Sequence, residues 1–310
     1  MAYEIATALV PVFFVLALGY GAGRFRLIDN TDVTSLDTLV MSFALPIALF
    51  TSLAGSRRSE VVARWQLVAI SAVVMGLIYA GVYLLQHRFY RATPSASAIQ
   101  ALTVAFPNGA AVALPLAGAV LGPSATLGVA AVLAVGSVTL SPVTLVILER
   151  HRTAAGGAGM GHVILSSLRK PIVIGPALGA AWSLLGIPLP QLAAATLTTI
   201  GAITAGAALF LTGLVVSGQK IDFTANAYVS TFITIVVRPA LAFAVILAAG
   251  LSGPLARETL LLQAVPAGFF GILLGVAYHE KSPLAGTTVL FSTVLSAITL
   301  TTLIALLPRL

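Results

Sequence analysis

The sequence predicts an all-α membrane protein whose ten transmembrane helices form two inverted five-helix repeats. Three observations lead to this prediction: an apolar composition, a series of long apolar runs, and a similarity between the two halves of the chain. Of the 310 residues, 59% are hydrophobic and only 8% are charged, whereas soluble domains carry about 25% charged residues. Because so few ionic groups cannot cover the surface of a soluble protein, we expect the chain to lie in a lipid bilayer.

The apolar runs are long enough to cross a hydrocarbon core about 30 Å thick, which takes about 20 helical residues. They are continuous, without the alternation of β-barrel strands. The first run follows Glu4 instead of a basic segment and is too long for a signal peptide, so we interpret it as a retained helix. The predicted spans are 5–23, 33–54, 66–86, 98–121, 125–148, 162–185, 191–217, 227–249, 258–278 and 284–307.

The two halves of the chain resemble each other at an offset close to 160 residues. Because each repeat would hold an odd number of spans, the second repeat must enter the membrane in the opposite orientation, a plan widespread among secondary transporters. We therefore predict a first repeat over 1–150, a linker over 151–161 and a second repeat over 162–310. The matching pairs are Pro11 with Pro171, 17–19 with 177–179, 48–50 with 208–210, 107–109 with 266–268, and 139–141 with 299–301.

The basic residues of the loops indicate the orientation, because positive residues collect on the cytoplasmic side. With the N-terminus outside, ten basic residues face the cytoplasm and five face outward. We therefore expect both termini outside and the linker inside. Because the basic residues are scattered through short loops, they form no patch for nucleic acid. The inner set is Arg24, Arg26, Arg88, Arg91, Arg150, Arg152, Arg169, Lys170, Lys220 and Lys281, and the outer set is Arg57, Arg58, Arg64, Arg257 and Arg309.

The fourth and ninth spans carry interruptions at equivalent places. Proline removes a backbone donor and clashes with the preceding turn, while glycine allows backbone geometry that a helix does not use. Broken backbone at membrane depth must be buried in protein or line a cavity. We therefore expect the two breaks to meet near the midplane and present half-helix N-termini, which suit a carboxylate. The candidate binding residues are Pro107, Asn108 and Gly109 in span 4, and Pro266, Ala267 and Gly268 in span 9.

Asn108 has two possible roles at the first break, either capping the half-helix or bonding a substrate oxygen. The alternative for the breaks as a whole is that the prolines and glycines only kink ordinary membrane helices.

Arg238 is the only basic residue near the centre of a predicted span. A charge at this depth is costly and usually faces the bundle interior or a cavity. Three roles are open: neutralising an anionic substrate, pairing with carbonyls or with Asp37, or stabilising the backbone near Pro239. We interpret Asp37 as an interfacial residue in the first turn of its helix, so a buried proton relay has little support.

The hydroxyls of Thr139, Ser141, Thr299 and Thr301, with that of Ser137, lie on spans that follow the breaks. They either line a polar path or only bond helix backbone and bridge helices. Enzyme motifs such as H-E-x-x-H and G-x-S-x-G are absent, there is no P-loop, and the histidines have no metal spacing. We therefore expect neither catalysis nor a cofactor or metal site.

The second span and the first break of the chain resemble those of the auxin efflux carrier family. Residues 39–50 (LVMSFALPIALF) look like the signature of the family's second span, and 105–109 (AFPNG) with 113–115 (ALP) look like its span-4 crossover motif. The resemblance covers essentially the whole chain. Within the family the chain is most similar to bacterial malonate transporters, through 147–150, 170–173, 208–213 and 267–271.

The resemblance implies a bile-acid-sodium-symporter-like architecture with crossed broken helices 4 and 9. Spans 1, 2, 6 and 7 would form a scaffold, and the crossover would belong to a mobile domain that moves by an elevator mechanism. A homodimer is also implied. We expect it in the bacterial inner membrane, where the loop charges predict both termini in the periplasm. The scaffold face around Pro46 and Phe50 would close the site.

Two residues depart from the family pattern. Ala267 stands where some relatives have a polar residue, so we expect the site to depend more on backbone N–H groups. Gln263, not an acid, lies near the second break, which argues against sodium coupling and leaves coupling to H⁺ or Na⁺ open.

The sequence thus predicts a secondary transporter of small carboxylate anions, with malonate as the leading substrate. The alternatives are an exporter of auxin-like or other monocarboxylates on the same fold, and a non-transporting membrane receptor.

Overall fold

The architecture is that of a computed structural model, which describes residues 2–122, 124–153, 161, 165, 168–219, 221–280 and 282–307. Most of the predicted linker, from 154 to 160, lies outside the described residues, as do Lys220, Lys281 and Arg309 of the orientation argument.

The described chain is all-α, and its β-like pairing is limited there to one isolated bridge, described below. The helices of the first half are α1 (Ala2–Arg24), α2 (Thr34–Thr38), α3 (Leu45–Ala54), α4 (Arg58–Ala63), α5 (Trp65–Leu84), α6 (Pro94–Ala105), α7 (Leu114–Leu121) and α8 (Ala125–Thr153). Those of the second half are α9 (Pro171–Leu184), α10 (Gln191–Gly201), α11 (Thr204–Gly218), α12 (Ala225–Phe232), α13 (Arg238–Ala248), α14 (Pro254–Ala264), α15 (Phe270–Ala277) and α16 (Pro283–Leu306).

Six helical regions of the described chain are long and apolar enough to cross a membrane. They coincide with predicted spans 2, 3, 5, 7, 8 and 10, so the helical membrane character is confirmed, while the total of ten spans stays a prediction. The six regions are Thr34–Ala54, Trp65–Phe89, Ala125–Arg150, Gln191–Gly218, Ala225–Ala248 and Pro283–Leu306.

The two interruptions occur where proline and glycine predict them. Helix α6 ends at Ala105, and helical structure resumes as a π-helical turn at Gly109–Ala113. Helix α14 ends at Ala264, and α15 begins at Phe270. Span 7 differs from the prediction of one continuous helix, because α10 ends at Gly201, a residue type that favours helix ends, and α11 begins at Thr204.

Three π-helical turns each lie directly before a residue–proline pair. A proline ring clashes with a carbonyl of the preceding turn, and the wider π-turn accommodates that clash without ending the helix. The residue before the proline then donates its N–H group to a carbonyl five residues back. The donor–acceptor pairs are Leu45 with Val40 before Pro46, Leu114 with Gly109 before Pro115, and Arg238 with Ile233 before Pro239.

Glycines bring the helices of the predicted scaffold into backbone contact. A Cβ atom on Gly19 of α1 would lie 2.0 Å from the carbonyl oxygen of Phe210 in α11. A Cβ atom on Gly179 of α9 would lie 2.7 Å from that of Phe50 in α3. The two contacts are related by the same offset that relates the two halves of the sequence. Spans 1 and 7 therefore pack in the same way as spans 6 and 2.

Candidate functional site

The two broken spans cross at their interruptions. Pro107 and Ala267 form an isolated antiparallel bridge. Beside it, the Asn108 N–H group donates to the Pro266 carbonyl at 3.0 Å. Residues about 160 positions apart in the sequence are thus in direct contact, as the pairing of the breaks predicts.

The backbone N–H groups of the second break are bound by neighbouring protein atoms. The Gly268 N–H group donates to the carbonyls of Phe106, at 2.8 Å, and Thr103, at 3.1 Å. The Ala267 N–H group donates to the Ser292 hydroxyl at 3.1 Å. These groups hold the two breaks together in this conformation, and the reliance of the site on backbone N–H groups stays a prediction.

The first break behaves in the same way, because the Gly109 N–H group donates to the Pro107 carbonyl at 2.7 Å. The N–H groups left for an anion are therefore those of the first turns that follow the breaks, which have no partner within their own helices.

The Asn108 side chain, unlike these backbone groups, has no hydrogen-bond partner. It is 0% exposed, and neither its Nδ2 nor its Oδ1 atom has a hydrogen-bond partner. It makes no capping bond to the helix that follows, so the capping role is not formed here. A buried polar group without a partner costs about 1–3 kcal/mol, and such a group calls for a functional explanation. The Nδ2 and Oδ1 atoms of the carboxamide are therefore not bound to any protein group.

Aromatic rings fill the crossing. Phe106 stacks on Phe270 with ring centroids 4.5 Å apart and planes 10° apart, and Phe269 stacks on Phe270 at 5.3 Å. All three are at most 2% exposed. A Cβ atom on Gly268 would lie 2.4 Å from the Phe106 carbonyl oxygen, so the close approach of the two chains requires a glycine there.

Arg238 lies beneath the crossover with its guanidinium fully buried. Its Nε atom donates to the Gln263 carbonyl at 2.9 Å and Nη1 to the Val104 carbonyl at 2.6 Å. The Nη2 atom donates to the carbonyls of Val265 and Pro266. Of the three predicted roles, pairing with carbonyls is therefore the one observed, and this places the positive charge at the ends of both first half-helices.

Two further polar side chains lie buried near the crossover, and only that of Ser292 makes hydrogen bonds there. The Gln263 side chain is 0% exposed and neither of its polar atoms has a partner. The Ser292 hydroxyl accepts from the Ala267 N–H group and donates to the Val289 carbonyl at 3.1 Å. Polar side chains inside apolar spans often mark such contacts, but the sequence alone does not say which partner each one meets.

The hydroxyls of the predicted polar path differ in their surroundings, and the path itself stays a prediction. Thr139 and Thr301 are exposed, and each donates at 2.6 Å to a carbonyl of its own helix. Ser141 is buried and Thr299 half-buried, and their hydroxyls have no partner. Two of the four hydroxyls thus bond helix backbone, as in the alternative interpretation.

The scaffold residues predicted to close the site pack against α9. Pro46 is buried, and a Cβ atom on Gly175 would lie 2.6 Å from its carbonyl oxygen. Phe50 meets Trp182 edge to face, with ring centroids 6.4 Å apart. Closure of the site by Pro46 and Phe50 stays a prediction.

Comparisons with known proteins identify relatives among membrane transporters. A family model described as membrane transport protein matches residues 4–156 and 159–304, nearly the whole chain. The chain is 26% identical over 276 residues to the uncharacterized transporter YfdV of Escherichia coli K12, covering 87% of each protein. The same identity and coverage are found for YfdV of Escherichia coli O157:H7 and of Shigella flexneri. The chain therefore belongs to the membrane transport protein family, which is the auxin efflux carrier family that its sequence resembles.

Proposed function

We propose that the protein is a secondary transporter of small organic anions, with malonate as its substrate. It works by elevator-type alternating access in the bacterial inner membrane, as a homodimer with periplasmic termini. The observation that carries this proposal is the Asn108 carboxamide, which is 0% exposed and unpaired beside the start of a half-helix.

The chemistry of the crossover suits a carboxylate. The Asn108 amide supplies two N–H donors, and the first turn of the following half-helix supplies backbone N–H groups and the positive end of a helix dipole. The bridge between Pro107 and Ala267 brings the two breaks together. A dianion with two carboxylates on one carbon, such as malonate, interacts with both half-helix ends at once, whereas a monocarboxylate interacts with one.

Burial of the site supports a carrier over an open channel. Asn108 is 0% exposed, so a substrate reaches the carboxamide only when the surrounding helices move. The backbone contacts of Gly19 and Gly179 support a rigid scaffold against which such movement takes place. A static receptor gives no reason for paired helix breaks at membrane depth, where each break needs its own compensating contacts.

The test is uptake of labelled malonate into proteoliposomes, with and without an imposed proton gradient and with unlabelled competitors. Saturable uptake that malonate suppresses and bulky monocarboxylates do not suppress would support the proposal. Suppression by auxin-like monocarboxylates would favour the alternative exporter. Binding without flux would indicate a receptor, and no flux above empty liposomes from folded, inserted protein would refute malonate transport.

A further inference from the structure

Four backbone carbonyl oxygens converge on one point beneath the crossover. They belong to Val104 near the end of α6 and to Gln263, Val265 and Pro266 at the end of α14. The guanidinium of Arg238 occupies the point where they meet, with hydrogen bonds from Nε, Nη1 and Nη2.

These carbonyls favour a cation because of where they lie in the fold. The last carbonyls of a helix have no N–H partner within it, and they form the negative end of the helix dipole. Here α6 ends at Ala105 and α14 at Ala264, so two negative helix ends face each other inside the protein. In transporters with broken helices, unwound carbonyls and half-helix C-terminal ends coordinate the coupling sodium ion or proton.

The charges near the crossover leave no place for a second cation among these carbonyls. Within the described residues, Arg238 and Glu258 are the charged side chains that are less than a tenth exposed, and Asp37 is half-buried with one unpartnered carboxylate oxygen. Glu258 pairs with Arg64 at 3.4 Å, and all the partners of Arg238 are carbonyl oxygens. A sodium ion would therefore have to displace the guanidinium or bind against its positive charge.

We propose that the Arg238 guanidinium is the resident cation of the crossover, held where a coupling sodium ion would otherwise bind, so that transport is independent of sodium. The inference rests on the proposed function only in treating the protein as a carrier. Arg238 acts as a positioning residue: it neutralises both half-helix C-terminal ends and fixes the two breaks relative to each other.

The first test uses the wild-type protein, so it does not depend on a variant that folds. Malonate uptake into proteoliposomes is measured in sodium chloride and in choline chloride at equal ionic strength. We expect rates that agree within about twofold, since charge screening is the same in both salts. Stimulation by sodium beyond that range would overturn the inference.

A second readout separates this inference from the choice of substrate. The melting temperature of the purified protein is measured in the same two salts without substrate, because a ligand that binds only the folded state raises it. We expect no sodium-specific shift. A sodium-specific rise would overturn the inference whatever the substrate, whereas absent malonate flux with equal melting temperatures would refute the proposed substrate alone.

Variants of Arg238 test the role of its charge. Arg238→Lys keeps the charge and Arg238→Gln removes it, so we expect melting temperatures in the order wild type, Lys, Gln. Arg238→Ala should melt lower than wild type and recover by about 2 °C or more in millimolar guanidinium chloride, but not in choline chloride. Arg24→Ala, which removes an exposed positive charge, is the matched control and should match wild type.

Two results would contradict the role of the charge. One is a Gln variant as stable as the Lys variant, and the other is an Ala variant that folds but gains nothing from guanidinium. If the Ala variant does not fold, the wild-type comparison of the two salts and the order of the Lys and Gln variants decide the question.

Discussion

Replacing Asn108 with alanine should weaken substrate binding without weakening the fold. The carboxamide is 0% exposed and both of its polar atoms lack partners, and burying such a group costs about 1–3 kcal/mol. The side chain therefore opposes folding in the empty protein. We expect the free energy of unfolding of Asn108→Ala to equal or exceed that of the wild type.

The effect on binding has the opposite sign. A hydrogen bond from the amide to a carboxylate is worth about 1.5–3 kcal/mol. Its loss raises the dissociation constant of malonate by about 10- to 150-fold, since each 1.4 kcal/mol is a factor of about ten. Titration calorimetry in detergent measures the affinity, and the thermal midpoint measures the stability of the same preparation.

Asn226→Ala is the matched control. The amide of Asn226 exchanges two hydrogen bonds with that of Gln86, at 2.7 and 2.8 Å. Its removal leaves Gln86, which is 1% exposed, without those bonds and should lower the unfolding free energy by about 1–3 kcal/mol while malonate affinity is kept. If instead Asn108→Ala melted well below wild type and still bound malonate normally, the carboxamide would be structural and the reasoning refuted.

Four further substitutions change stability, which is read from thermal midpoints in detergent, and the last of them also changes uptake. Gly19→Ala should lower the unfolding free energy by about 1–3 kcal/mol, because the new Cβ atom would lie 2.0 Å from a backbone carbonyl oxygen. Gly76→Ala, with nothing within 4 Å, should raise it by up to about 1 kcal/mol. Arg64→Ala should cost about 3 kcal/mol by leaving the Glu258 carboxylate, 7% exposed, without its cation. Ser292→Ala should cost about 1–3 kcal/mol and slow uptake, because a buried N–H group of the second break loses its acceptor.

Each of these predictions has a clear contrary result. Equal midpoints for the two glycine variants would mean that α1 and α11 do not approach as closely as described. An Arg64→Ala midpoint equal to that of the wild type would mean that the carboxylate is neutral or solvated. Unchanged uptake by Ser292→Ala would mean that the Ser292 hydroxyl does not stabilise the crossover.

The parts of the fold that depend on local chemistry were predictable from the sequence. Pro107 and Pro266 each have a glycine two positions later, and the two residue types together favour a break, whereas single prolines such as Pro11 and Pro142 stay inside continuous helices. The offset between the two halves anticipated the equivalent packing of Gly19 and Gly179, because equivalent residues in a repeat meet equivalent neighbours. The apolar runs predicted the helical membrane class, because about 20 consecutive apolar residues are enough for a helix to cross a bilayer.

The contacts that complete the site were not predictable, because they join residues far apart in the sequence. Arg238 reaches the Val104 carbonyl across 134 positions, and a single sequence left its partner open among a substrate, carbonyls and Asp37. The same holds for the Ala267 N–H group, which is bound by Ser292. The prolines in the spans indicated kinks, but the π-turns that carry the helices past Pro46 and Pro239 depend on packing around the whole turn.

The aromatic stack of Phe106, Phe269 and Phe270 has a consequence for the passage of water through the crossover. The three rings are at most 2% exposed, so no water-sized space adjoins most of their surface. A file of water molecules, along which protons would hop, cannot pass a constriction filled in this way. In the conformation described, the ring stack therefore closes the crossover itself to a file of water molecules.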